Sequence, residues 1–138
     1  MKKLQKMTFQ TSKHFFSGFS LNSEKELFND YLTINNYTVA GFSHGAQKAF
    51  EYALNTDNRV DKLQLFSPAF FQCNDKKYKR MQLMFFKKDA TSYCNNFLLN
   101  CASPNTISLE RYFSIGTHKE LEDLLYYEWD ENKLNELL

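Results

Sequence analysis

The sequence predicts an α/β chain: a short parallel sheet of about three strands, flanked by helices and followed by a helical region. Three observations carry this. Residues 37–42, Tyr-Thr-Val-Ala-Gly-Phe, are β-branched or apolar and uncharged, as a buried parallel strand should be. Downstream, Ala46, Ala49, Phe50, Ala53 and Leu54 recur at i, i+3, i+4, i+7 and i+8, the period of a helix that buries one face. Leu63-Gln64-Leu65-Phe66 then reads as a further strand, ended by Pro68 and parallel to the first through the intervening helix.

The remaining elements follow in chain order. Residues 1–13 hold Lys2, Lys3 and Lys6 with no apolar stretch behind them, which is not the pattern of a secretory leader. They read as an edge strand, in which Met7 and Phe9 alternate with polar residues, or as an unstructured tail, and Met7 is an alternative start. His14-Phe15-Phe16-Ser17-Gly18-Phe19 is a short apolar strand that breaks at Gly18. Ser23 and Glu26, three apart, form a capping box opening a helix with Leu27, Phe28, Tyr31 and Leu32 as its buried stripe. On the helix that begins near Ala46, the residues Gln47, Lys48 and Glu51 fall on the outer face. After Phe71 no run reads as a strand. Helices are expected over about 76–87, 91–101, 107–114 and 118–137. The chain therefore reads as one domain, 1–138, in which residues 74–138 form a helical, lid-like part.

One segment carries chemistry. Gly41-Phe42-Ser43-His44-Gly45 is a Gly-x-Ser-x-Gly pentapeptide lying between a strand and a helix. In α/β-hydrolases that context makes a nucleophile elbow, a tight turn that holds the serine hydroxyl clear of the backbone. Ser43 is then the nucleophile, and Gly41 and Gly45 are the elbow glycines, since bulky side chains two residues either side would collide with the turn or the adjacent strand. The alternative is an ordinary strand–turn–helix with a structural serine. In the same fold the residue after the nucleophile supplies one oxyanion-hole N–H and an earlier strand–loop junction supplies the other. Here these are the backbone amides of His44 and Phe19.

Several blocks together resemble the short pimeloyl-acyl-carrier-protein methyl ester esterases of the BioV type. They are Phe15-Phe16-Ser17-Gly18-Phe19, the stretch from Val39 through Gly41-Phe42-Ser43-x-Gly45-Ala46 to Tyr52-Ala53, and Leu65-Phe66-Ser67-Pro68. Further matches are Lys79-Arg80-x-Gln82-Leu83, Phe86-x-Lys88-Asp89 and Glu120-Leu121-Glu122-x-Leu124-Leu125. The resemblance runs from about residue 14 to 130. It implies a partial α/β-hydrolase and a serine carboxylesterase without a cofactor. The implied reaction demethylates pimeloyl-carrier methyl ester in biotin biosynthesis. Members of that family continue into a strand with a loop aspartate and a last strand followed by the catalytic histidine. Neither is recognisable here, so the expectation is a chain with the elbow and oxyanion hole but without its own triad. The alternative is a catalytically incomplete acyl- or carrier-binding relic.

None of the three histidines follows a strand, as the base of such a triad should. His14 begins a strand before the nucleophile, the wrong side in chain order. His44 is the elbow's variable position, with its side chain at the pocket mouth. His118 follows Thr117 at a helix start, where Thr117 and Glu120 form a second capping box.

Net charge is +1, which gives no bulk attraction to nucleic acid or membrane, and no run approaches transmembrane length. Cys73, Cys94 and Cys101 are odd in number and lack CxxC spacing, which favours reduced cytoplasmic thiols over disulfides or a metal site. Cys94 and Cys101 share an apolar helical stripe with Phe97 and Leu98. The high aromatic content, 17% with fourteen Phe, reads first as core filling with compositional bias, and a lined acyl tunnel is the alternative. Residues 74–89 are net +4, with Lys76, Lys77, Lys79 and Arg80 at their head, whereas residues 110–138 are net −5. The resemblance implies an acidic acyl carrier protein as partner, and these four cations are its expected docking patch. A solvated lysine-rich helix is the alternative.

Overall fold

The computed structural model describes residues 14–102 and 109–138. These fall into two compact units. The first holds the described residues up to Gly18, then Lys25–Ala69 and Asp130–Leu138; the second holds Phe19–Glu24 and Phe70–Trp129. The helical part expected over 74–138 thus gives its last residues to the first unit, and the second gains a loop from early in the chain. The edge strand considered for residues 1–13 lies outside the described residues.

The first unit is mixed α/β. Strands β1 (Phe15–Phe16), β2 (Thr38–Phe42) and β3 (Lys62–Phe66) form a parallel sheet in the order β1-β2-β3. β2 is central, and its first four residues are buried. The register sets Phe15 against Ala40, and Phe42 against Phe66. Because side chains alternate across a strand, Phe15, Ala40, Phe42, Gln64 and Phe66 share one face, and Phe16, Val39, Gly41, Leu63 and Leu65 the other.

Each face finds its own cover. Helix α1 (His44–Asn55) covers the second, with Ala46, Ala49 and Phe50 fully buried and Tyr52 packed 5.7 Å from the Phe16 ring. Phe28 covers the first, its ring 4.6 Å from Phe66, 5.1 Å from Phe42 and 6.1 Å from Phe15. Helix α5 (Glu131–Leu137) ties back to α1 through Lys133 and Glu51 at 3.1 Å.

Two expectations in this unit are corrected. Residues 24–28 form a 3₁₀ turn rather than the first turn of an α-helix, and Leu27 and Tyr31 are exposed, the latter by 72%. A capping residue needs extended backbone, whereas Ser23 sits at φ 65. Asn29 and Asp30, which compete with helical bonding, follow directly, and the amides of Tyr31 and Leu32 both return to the Phe28 carbonyl. The second correction is Gln47, expected on the outer face of α1 and in fact buried.

The second unit is helical: α2 (Lys76–Lys88), α3 (Ala90–Ala102), a 3₁₀ turn (Glu110–Tyr112) and α4 (His118–Tyr126). Asp75 caps α2 by accepting the Tyr78 amide at 2.8 Å, and Asp89 accepts the Ser92 amide as α3 begins. Thr117 and Glu120 form the expected capping box of α4. Its interior contains Phe86, Cys94, Leu98, Leu121, Leu124 and Leu125. Cys94 lies in the core as expected, but Cys101 is exposed. The helix expected over 107–114 lies partly outside the described residues; from Leu109 onward only the 3₁₀ turn forms.

The helix expected over 118–137 is two helices. It breaks after Tyr126 because Gln72 takes over the backbone of Trp129, accepting its amide at 2.6 Å and donating to its carbonyl at 3.4 Å. Asp130 then caps α5 by accepting the Asn132 amide. Both bonds are made by side chains that a 3.6-residue period does not register.

Gly45 is where the first unit is least tolerant. A Cβ there would fall on the Phe16 carbonyl and 2.6 Å from the Ser17 carbonyl oxygen, both rigid backbone. Gly45→Ala is expected to lower the unfolding free energy by about 2 kcal/mol or more, as overpacking does, against under about 0.5 kcal/mol for the exposed Lys48→Ala. Urea unfolding of the two variants checks this; equal stabilities would contradict it.

Candidate active site

Ser43 links β2 to α1 at φ 57, ψ −116, a region that non-glycine residues rarely occupy. Three backbone bonds hold it there. Its amide donates to the Phe66 carbonyl at 3.0 Å, and its carbonyl accepts the amides of Ala46 at 3.0 Å and Ala69 at 3.1 Å. The turn is therefore pinned to the end of β3 and to the segment beyond it. That segment leaves β3 through Ser67, itself at φ 41, before Pro68. A backbone so over-determined sustains about 1–3 kcal/mol of local strain.

Glycine is required at Gly41 and Gly45 for proximity, since neither has a positive φ. A Cβ on Gly41 would run into the Gly45 carbonyl and lie 2.8 Å from the Ala46 nitrogen. Strand and helix backbones touch at this point, and Gly45 extends the contact to β1.

The Ser43 side chain is unusual for its place. A serine at the N-cap normally turns its hydroxyl onto the helix amides. Ser43 makes no such side-chain bond, although it keeps only 9% of its surface. Its hydroxyl is left to other chemistry, at the positive end of the α1 dipole. The His44 amide stands in the first turn, where helix N–H groups lack intrahelical acceptors.

His44 corrects an expectation. Its ring does not sit at a pocket mouth; the residue is buried at 3% exposure, with Nδ1 2.9 Å from Gln47 Oε1. The Gln47 amide orientation is fixed because Nε2 donates to the Ala69 carbonyl at 3.2 Å. Oε1 therefore faces His44 and can only accept, so Nδ1 carries the proton. Gln47 thus fastens the helix start to the same Ala69 that grips Ser43. Sequence reasoning missed this residue, although its place three after His44 puts both on one helix face.

Among the described residues no imidazole is hydrogen-bonded to the Ser43 hydroxyl. His14 precedes β1, its ring 6.1 Å from Tyr52, and His118 packs 6.2 Å from Phe86 in the second unit.

Phe19 lies in the second unit, 1% exposed, its ring 5.1 Å from Phe97 and 6.4 Å from Phe86. The loop after it is anchored to residues 109–116. The Ser20 hydroxyl accepts the Gly116 amide at 3.1 Å, the Ser20 carbonyl accepts the Ser114 amide, and the Asn22 amide donates to the Tyr112 carbonyl.

Of the four cations at the head of α2, Lys76, Lys77 and Arg80 are exposed. Lys79 is a correction. It is 8% exposed, with Nζ 5.1 Å above the Tyr126 ring, and it offers no charge to a partner. Helical geometry turns it about 60° from Lys76 and about 100° or more from Arg80 and Lys77, toward the Phe86 face.

No cluster of His, Cys, Asp and Glu among the described residues is arranged to hold a metal ion, and no described helix is long and apolar enough to cross a membrane. No family model, no curated protein and no solved structure matches this chain.

Nitrogen-15 NMR of the His44 ring should show a protonated Nδ1 in the native chain. Loss of that tautomer preference is expected in Gln47→Leu. A ring protonated at Nε2 alone in the native chain would contradict the assignment.

Proposed function

We propose that this chain is a serine carboxylic ester hydrolase of the α/β-hydrolase kind, with Ser43 as nucleophile. The observation that supports it best is the Ser43 turn, a strained strand-to-helix junction whose buried hydroxyl is withheld from capping its own helix. Strain is retained only where surrounding bonds enforce it, and such residues cluster at functional sites.

The chemistry follows from that placement. Ser43 Oγ attacks the ester carbonyl carbon, and the carbonyl oxygen becomes an oxyanion that receives the His44 N–H. The resemblance implies the Phe19 amide as a second donor. Each donor of this kind contributes about 3–4 kcal/mol to the barrier reduction. Collapse expels methoxide, which leaves as methanol once protonated, and water then hydrolyses the acyl-serine. The proton on Oγ must go to a base for this to be fast. With no imidazole bonded to Ser43 among the described residues, the chain alone is expected to reach only the residual rate left by oxyanion donors and binding.

The substrate implied by the resemblance is the methyl ester of a pimeloyl group on an acyl carrier protein, a step of biotin biosynthesis. An acidic carrier suits the exposed Lys76, Lys77 and Arg80. The lack of a bonded imidazole also favours a second reading, an acyl- or carrier-binding protein that has lost catalysis.

Turnover of pimeloyl-carrier methyl ester by the native chain and by Ser43→Ala separates these readings. Slow hydrolysis that Ser43→Ala abolishes supports the hydrolase; carrier binding with no serine-dependent turnover supports the binding protein. Neither activity nor binding contradicts both. Reversing Lys76, Lys77 and Arg80 to glutamate should slow carrier association about tenfold or more at low salt and flatten its salt dependence. Hydrolysis of a small ester should be unchanged. Carrier binding indifferent to the reversal would leave these cations as a solvated face.

A further inference from the structure

Helix α2 has an outer side that the fold of the chain does not explain. Between Asp75 and Glu110 the sequence holds six cations and one acid, Asp89. Helical winding places five of the cations on the exposed side, away from the buried Lys79 and Phe86. Lys77, Met81, Met84 and Lys88 stand at i, i+4, i+7 and i+11, one row along the middle of that side. The row is apolar at its centre and cationic at both ends. Lys76, Arg80 and Lys87 run along one flank of it, and Tyr78 and Phe85 along the other. All of these side chains are exposed, Met84 by 59%.

The isolated chain gains nothing from this arrangement. Lys76 and Lys77 lie in the first turn, where the helix dipole disfavours cations and no acid is present. Lys76 and Arg80 form a like-charge i,i+4 pair. None of the five exposed cations makes a salt bridge among the described residues. Asp75 and Asp89 are bonded instead to the amides of Tyr78 and Ser92. Four large apolar side chains stay in water beside them. A solvated basic helix explains the charges but not the apolar row set among them. A surface that is both negative and apolar relieves both penalties at once.

We propose that α2 is a membrane-surface helix that lies flat on anionic phospholipid. Met81, Met84 and Phe85 enter the boundary between headgroups and acyl chains, and the five cations stay at the level of the phosphates. Their long stems let the charged heads reach back to that level while the helix settles inward. The mixed pattern selects a bilayer among anionic partners. A nucleic-acid backbone rewards the cations but leaves the methionines in water. A folded acidic protein must supply a fitted pocket for each apolar side chain, whereas acyl chains adapt to unbranched methionine without one. One short apolar row with basic flanks gives reversible adsorption rather than insertion across the bilayer. This binding goes beyond ester hydrolysis and does not depend on it.

Co-sedimentation of the chain with lipid vesicles tests this. Partition onto vesicles of mixed phosphatidylcholine and phosphatidylglycerol should exceed that onto phosphatidylcholine alone by about tenfold or more. Met81→Ser with Met84→Ser should weaken partition about tenfold or more, as should Lys77→Gln with Arg80→Gln. Circular dichroism should be unchanged in both, since every altered side chain is exposed. A second readout reports depth and needs no loss of binding. Tryptophan fluorescence of Met84→Trp should be quenched by phospholipids brominated in their acyl chains, with the native chain, whose one tryptophan is Trp129, as baseline. A chain that leaves phosphatidylglycerol vesicles in solution overturns the proposal, even if it binds an acyl carrier protein or a nucleic acid through the same side chains. Vesicle binding indifferent to the methionine variant, with no added quenching in Met84→Trp, also overturns it, because the helix then only adsorbs by charge.

Discussion

Backbone meets backbone where α1 leaves the sheet, and the first unit is organised around that contact. Gly41 and Gly45 have no side chains to hold β1, β2 and the first turn of α1 apart, and a Cβ at either would enter a neighbouring carbonyl. The close approach brings α1 onto the sheet face that Ala46, Ala49 and Phe50 then fill. It also leaves one residue, Ser43, to reverse the chain in the space available. The cost is a left-handed backbone, offset by bonds to Phe66, Ala46 and Ala69. A consequence is that Ser43 cannot serve as an ordinary cap, which frees its hydroxyl.

Much of this was legible in the sequence, because the strand–turn–helix signals are local. An uncharged β-branched run, two glycines four apart and a helical period sit within eighteen residues, and each agrees with the others. What was illegible depends on tertiary partners. Gln47 is polar and reads as solvent-facing, yet His44 and the Ala69 carbonyl satisfy its amide inside the unit. The break between α4 and α5 is made by Gln72, fifty-seven residues from Trp129. The 3₁₀ turn at 24–28 shows the opposite failure: the capping-box letters are present, but Ser23 adopts a backbone that cannot cap.

Charge in the second unit shows why composition alone misleads. The run Lys76-Lys77-x-Lys79-Arg80 reads as one patch, but winding it on a helix separates its members. Lys79 lies with Phe86 on the buried side and rests against Tyr126, its stem serving as packing and its ammonium as a cation over the ring. The surface available to an acidic partner is therefore narrower than the sequence suggests. Phe19, drawn from the loop after β1, is held in this unit by aromatic packing and by the bonds of Ser20 and Asn22, an anchorage with no local signature.

The central claim is that the fold singles out Ser43 among the serines of this chain. The most direct measurement is the site of covalent modification by a fluorophosphonate, mapped by peptide mass spectrometry on the native and the heat-denatured protein. The account predicts slow labelling of native Ser43 ahead of every other serine, lost on denaturation. Labelling spread over exposed serines, or a Ser43 no more reactive folded than unfolded, would contradict it.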